Sequence, residues 1–343
     1  MKFIWLYSVR LYINIGMFFY FKKTKTYGIK NVSKSKPILL LSNHQNALLD
    51  ALLIATKCGR FSYFLTRAAV FKKALVSKIL NSLQMLPVYR VRDGWSNISN
   101  NNAIFETCTS LLNKNKAIVI FPEGSHNLKR TVRPLSKGFT RIVFDTLEKY
   151  PETDLQLIPV GLNFENAEKF PDSVSMYFGK SISAKDFISE NRNEDVAKLK
   201  VRVQSEISKL TTHIPSDNYY ETIKTLNNLQ VDYLNPKTVN DCIINHFKNC
   251  KTNRKPKIKG IRLFFKGFLI LNILLPYLLW KFIVQPKIDE VEFVSTFRFA
   301  IAITLVPFYI LIMGISLLFL FSFKLALIYV ISVLIISLLA VKL

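Results

Sequence analysis

Residues 37–50 read Pro37-Ile38-Leu39-Leu40-Leu41-Ser42-Asn43-His44-Gln45-Asn46-Ala47-Leu48-Leu49-Asp50. The run Pro37–Ser42 is short, apolar and followed by polar residues, the pattern of a strand buried on both faces. A helix carrying Asp50 is predicted to follow it. Further short apolar runs lie at Phe61–Leu65, Met85–Tyr89, Ala117–Phe121, Leu155–Asn163 and Val174–Phe178. Between them, Phe71–Ser82, Asn97–Asn113 and Gly138–Lys149 suit helices. This alternation predicts an α/β domain over residues 37–247 with a mostly parallel sheet flanked by helices. Residues 191–247 read as mostly helical and close it. No internal repeat, Gly-rich phosphate loop or dinucleotide fingerprint interrupts the pattern.

Outward from this domain the chain becomes apolar at both ends. Phe268–Val284 is apolar apart from Asn272 and Lys281, Phe299–Phe321 carries no charge over 23 residues, and Leu325–Val341 adds 17 more. The second is long enough to cross a bilayer and the others reach the lower limit of about 17 residues. These lengths predict three transmembrane helices over 267–343. The basic stretch 248–266 precedes them with eight Lys/Arg and no Asp or Glu, as in a linker at the surface of an anionic membrane. By the positive-inside rule the long domain before residue 267 faces the cytoplasm, Asp289 lies across the bilayer, and Lys324 returns. Residues 1–36 read as an aromatic interfacial helix followed by a basic linker, with a fourth span as the alternative for that helix. Met1–Phe21 lacks a small-residue cleavage site, so a signal peptide is not expected.

Among the 343 residues, 47 Lys/Arg stand against 23 Asp/Glu, a net charge of +24. That excess calls for an anionic partner. Because the basic run abuts an apolar span, membrane phospholipid is expected rather than nucleic acid. With 50% hydrophobic residues the chain is not disordered. Cys58, Cys108, Cys242 and Cys250 are widely spaced and form no CxxC pair, so reduced, buried thiols are expected and zinc is not.

Two stretches carry chemistry. His44 follows a strand, and Asp50 lies on the next helix. A histidine accepts a proton from a hydroxyl when its other nitrogen is held as a donor, which a carboxylate does. Six helical positions turn through about 600°, leaving the two side chains about 240° apart. They meet only if His44 is in the loop and Asp50 in the first helical turns. The second stretch, Phe121-Pro122-Glu123-Gly124-Ser125-His126, also ends a predicted strand, where ligand loops of α/β sheets lie. Gly124 permits close backbone approach, while Glu123 and Ser125 supply polar contacts. A helix cap and a Pro-Gly turn are the plain alternatives. Thr66-Arg67 ends another strand and is a further candidate. His213 and His246 read as surface or capping residues.

Together these stretches resemble the glycerolipid acyltransferase superfamily, which includes glycerol-3-phosphate and lysophosphatidate acyltransferases. Asn43-His44 through Asp50 resembles its first motif block and Phe121–His126 its third. Met85-Leu86-Pro87-Val88-Tyr89-Arg90 resembles the second, and Leu157-Ile158-Pro159-Val160-Gly161-Leu162 the fourth. All four occur in order. The gap is His-x5-Asp rather than His-x4-Asp, and the third block ends Ser125-His126 rather than Thr-Arg. Both departures resemble a branch that includes fungal glycerol-3-phosphate/dihydroxyacetone-phosphate acyltransferases.

The resemblance implies direct acyl transfer from an acyl thioester, acyl-CoA or acyl carrier protein, to a hydroxyl of glycerol 3-phosphate or a lysophospholipid. His44 would be the general base, oriented by Asp50. Arg90 would grip the acceptor phosphate, with Glu123, Gly124, Ser125 and Lys137 shaping that site. Because His126 replaces the family's arginine, Arg130, Arg133 or Lys137 would supply charge, with Asn43, Arg67 and His126 nearby. No cofactor and no metal is expected. A lyso-aminolipid acyltransferase is the alternative within this class. A metal hydrolase using His44, Asp50 and Glu123 lacks the second histidine or paired carboxylates expected around a metal. A non-catalytic lipid tether leaves the coincidence of His, Asp, Arg and Glu without a reason.

Overall fold

The computed structural model describes residues 2–89, 99, 101–248, 250–252 and 259–343. Its strands are β1 (Phe21–Tyr27), β2 (Ile38–Ser42), β3 (Ser62–Arg67), β4 (Met85–Val88), β5 (Ala117–Ile120), β6 (Gln156–Phe164), β7 (Asp172–Phe178) and β8 (Ile182–Ser183). They form one sheet in the order β1-β7-β6-β2-β5-β3-β4, with β8 on β6. Every pairing is parallel except β6 with β7 and β6 with β8. Helices α1 (Lys2–Tyr20), α2 (Ala47–Lys57), α3 (Ala74–Ser82), α4 (Asn101–Asn113), α5 (Gly138–Lys149) and α6 (Arg192–Leu210) accompany it. Two more, α7 (Tyr219–Asn228) and α8 (Pro236–Ile244), close the domain. The expected α/β architecture is therefore present.

Central strand β2 explains why its sequence is apolar without alternation. Successive side chains point to opposite faces. Ile38 and Leu40 join a core with Leu49 and Leu53 of α2. Leu39 and Leu41 join another with Phe139, Ile142 and Leu199 from α5 and α6. Both faces are covered, so every residue of β2 is buried.

The stretch expected to be a basic linker supplies β1, parallel to β7 at the sheet edge. Its alternate residues are exposed, so Lys23 and Lys25 reach solvent and hide the strand from an apolar-run search. Cys242 and Cys250 also depart from expectation. The turn after α8 brings their Cα atoms to 5.0 Å and the sulfurs form a disulfide. Cys58 and Cys108 are buried free thiols.

After the domain the chain forms α9 (Lys259–Asn272), α10 (Leu274–Leu278), α11 (Val294–Ile303), α12 (Leu305–Leu320) and α13 (Phe323–Lys342). Among the described residues three segments are long and apolar enough to cross a membrane: Phe3–Tyr20, Val291–Leu320 and Phe323–Lys342. The expected span 268–284 is different. It is bent by 101° between Asn272 and Leu274, as in a broken span or a re-entrant loop. Pro276 lies just beyond the break, and a proline removes a helical hydrogen bond.

That bend carries the next segment back to the α/β domain. Ser295 donates to the carbonyl of Ala167 at 2.5 Å, and Arg298 donates to the Tyr20 hydroxyl at 3.0 Å and the Glu168 carbonyl at 2.8 Å. Phe299 is buried against Tyr20, with ring centroids 5.1 Å apart. At the other end, Lys342 donates to the carbonyl of Phe21 at 2.7 Å. Both ends of the α11–α13 hairpin thus meet the domain, and its turn at Phe321–Phe323 is exposed and apolar. Asp289 was expected across the bilayer and Lys324 on the domain's side. In the structure Glu290, next to Asp289, lies 3.6 Å from His126 of the α/β domain, so this segment packs against the domain.

Candidate active site

Parallel strands place their C-terminal ends on one edge. The loops after β2 and β5 emerge there as neighbours. Asn43 fixes the first loop by a two-way amide clamp: its side chain donates to the Leu162 carbonyl at 3.0 Å and accepts from the Leu162 N–H at 2.8 Å. The chain then enters α2 through Ala47, whose φ is +39°. His44 is in the loop and Asp50 in the first turn of α2, the only arrangement in which the two can meet.

The His44 Nδ1–H donates to Asp50 Oδ2 at 2.8 Å. The same oxygen accepts from the backbone N–H groups of Gln45 and Asn46, each at 2.8 Å. Asp50 is fully buried, and its Oδ1 has no hydrogen-bond partner among the described residues. A buried carboxylate held this way fixes the imidazole tautomer and leaves Nε2 as the proton acceptor. Phe121 stacks on the His44 ring at 4.0 Å and 17°, and the carbonyl of His44 accepts from the Asn127 N–H at 3.0 Å. The ring is therefore set by a carboxylate, an aromatic face and its own backbone.

The second loop is braced by Arg133. Its Nε donates to Glu123 Oε2 at 2.7 Å, and its guanidinium also donates to the Ser125 hydroxyl at 2.7 Å and the Ser125 carbonyl. Gly124 takes φ +74° at the turn, where a side chain would be strained. Burial pushes the Glu123 carboxyl up to about 7, against the opposing pull of Arg133 and of the His44 backbone N–H. Glu123, Ser125 and Arg133 thus partner one another and hold the shape of the loop.

The other sequence candidates fall in different places. Arg130 donates to the Glu165 carbonyl at 3.0 Å and stacks on Tyr233, 3.7 Å from the ring centroid. Lys137 lines a separate pocket with Arg141 and Arg192. Arg67 is exposed at the end of β3. Arg90 lies outside the described residues. His213 accepts from the Val132 N–H at 3.0 Å, and burial lowers its pKa. A cleft beside His44 is lined by Gln45, Glu123, Lys129, Thr131 and Thr212. The Thr212 hydroxyl has no hydrogen-bond partner among the described residues.

Two participants come from the far end of the chain. His126 meets the His44 ring edge-on at 5.6 Å and the Phe293 ring at 4.7 Å. Its Nε2 is 3.6 Å from Glu290 Oε2. No local spacing connects Glu290 or Phe293 with His126. Three-dimensional packing alone reveals the contact.

Residues 23–163 match the family model Acyltransferase. The matched segment contains β2 to β5 and most of β1 and β6, with both loops of the site. The chain is 31% identical to an uncharacterized acyltransferase of Schizosaccharomyces pombe over 70 residues, 20% of this chain and 10% of that protein. It is 27% identical to glycerol-3-phosphate O-acyltransferase 1 of Saccharomyces cerevisiae over 82 residues, 24% of this chain and 11% of that protein. The chain therefore matches about a tenth of the length of these relatives. A 1-acyl-sn-glycerophosphate acyltransferase, PlsC, from Thermotoga maritima aligns with a TM-score of 0.39 at 19% identity, over 54% of this chain and 71% of that one.

Proposed function

We propose that the protein is a membrane-bound O-acyltransferase that moves an acyl group from a thioester to a hydroxyl of glycerol 3-phosphate or lysophosphatidate. The observation that carries this reading is the His44–Asp50 pair, 2.8 Å apart within the acyltransferase domain. The acceptor O–H gives its proton to His44 Nε2 as the oxygen attacks the thioester carbonyl. A C–O bond forms, the C–S bond breaks, and the proton passes to the leaving thiolate. Asp50 stabilises the imidazolium formed midway. No covalent acyl-enzyme is required. The acceptor's phosphate gives the cationic chain an anionic partner, with Arg90 as the residue assigned to it by the motif. The apolar helices hold the domain at a membrane whose cytoplasmic side it faces.

The test is purified full-length protein with acyl-CoA or acyl carrier protein thioester against glycerol 3-phosphate, lysophosphatidate and a lyso-aminolipid, with products identified by mass. Acylation of a phosphate acceptor supports the reading. Acylation of the aminolipid alone moves the acceptor class, and no transfer from either thioester removes the proposed activity.

A further inference from the structure

The chain from 248 to 343 contains only three acids, Asp289, Glu290 and Glu292. Two of them converge on His126 of the acyltransferase domain. One ligand-type atom from each of His126, Glu290 and Glu292 lies within 4.8 Å of the others, and His126 Nε2 is 3.6 Å from Glu290 Oε2. Among the described residues neither glutamate has a Lys or Arg within 4 Å. Two carboxylates this close repel unless a cation lies between them. A neutral imidazole contributes no charge, but it does contribute a nitrogen donor.

We propose that His126, Glu290 and Glu292 form a divalent-cation site that fastens the segment before α11 over the catalytic cleft. Ligands at about 2.1 Å from a metal lie roughly 3.0–3.4 Å from one another. The His126–Glu290 distance is already near that range. The Glu290 side chain is 59% exposed, so it can adjust without disturbing the core. One imidazole and two carboxylates suit zinc or manganese better than magnesium or calcium, which favour oxygen alone. Three protein ligands leave positions for water or a ligand oxygen. The ion would join the two halves of the molecule at the Phe293–His126–His44 ring series.

This proposal does not require the acyl-transfer reading, and its test uses no acyl substrate. Chelator-treated full-length protein in detergent is titrated separately with Mn²⁺, followed by electron paramagnetic resonance, and with Zn²⁺, followed by calorimetry. One bound ion per chain is expected with at least one of the two metals. Glu290→Gln with Glu292→Gln should weaken binding at least tenfold, and His126→Gln should do likewise, since even residues behind a ligand shell alter affinity by roughly 10- to 100-fold. Circular dichroism checks that the variants fold. Binding of neither metal to the wild type, or unchanged affinity in the folded double-glutamine variant, would overturn the proposal. A site lost in the His126 variant but kept in the double variant would also overturn it, because the ion would then be held elsewhere.

Discussion

At the scale of single residues, Asp50 does the most with the fewest atoms. One oxygen accepts from His44 and from two backbone N–H groups. Asp50→Asn keeps the shape but removes the charge that stabilises imidazolium and favours the wrong tautomer. We expect turnover to fall on the order of 10³–10⁴-fold, as for the equivalent change in a serine-protease triad, with the fold intact by circular dichroism. A fall of less than tenfold would separate Asp50 from the proton transfer. Glu123 makes a different prediction because burial raises its carboxyl to about 7. In the unfolded chain it ionises near its ordinary value of 4.5. Between about 4.5 and 7 the folded state keeps a proton that the unfolded state has lost, so stability falls as pH rises, then levels off. Glu123→Gln mimics the protonated form. Wild type and variant should be similarly stable at pH 5, and the variant relatively more stable at pH 8. Melting temperatures across this range test it, and parallel curves would contradict it.

At the scale of elements, the junction of β2 and α2 tests the meaning of the His-x5-Asp gap. Deleting Ala47 restores the commoner spacing but rotates the following helical positions by about 100° and shifts them by about 1.5 Å. Asp50 would lose its three donors, and misplacement near 1 Å costs about 100-fold. Initial rates of the deletion variant, beside a folding check, decide the matter. Near-wild-type activity would show the extra residue to be slack. The same junction explains what was legible in sequence. β2 stands out because both faces are buried, and His44 and Asp50 because the loop-to-helix geometry allows one useful arrangement. β1 was hidden by its lysines, of which Lys23 and Lys25 point to solvent from the edge strand. The bend after Asn272 was hidden because hydropathy registers length and composition rather than direction. The Cys242–Cys250 pairing depends on a turn that spacing does not specify. The contacts of His126 with Glu290 and Phe293 join positions more than 160 residues apart and left no local pattern.

At the scale of the whole molecule, the helices after residue 259 do more than trail behind the domain. The α9–α10 bend returns the chain to the active-site edge, and α11 docks through Ser295, Arg298 and Phe299. This arrangement predicts membrane sidedness. Single cysteines introduced by Asp289→Cys and Lys149→Cys should react from the same side of sealed vesicles, and Lys324→Cys only from the other. Asp289→Cys and Lys149→Cys on opposite sides would contradict the packing. The functional account is tested most directly by following labelled acyl groups from a thioester to glycerol 3-phosphate or lysophosphatidate with purified full-length protein, wild type beside His44→Ala. The account predicts product with the wild type and none above the uncatalysed rate with a folded His44→Ala variant. Equal product from both would contradict it.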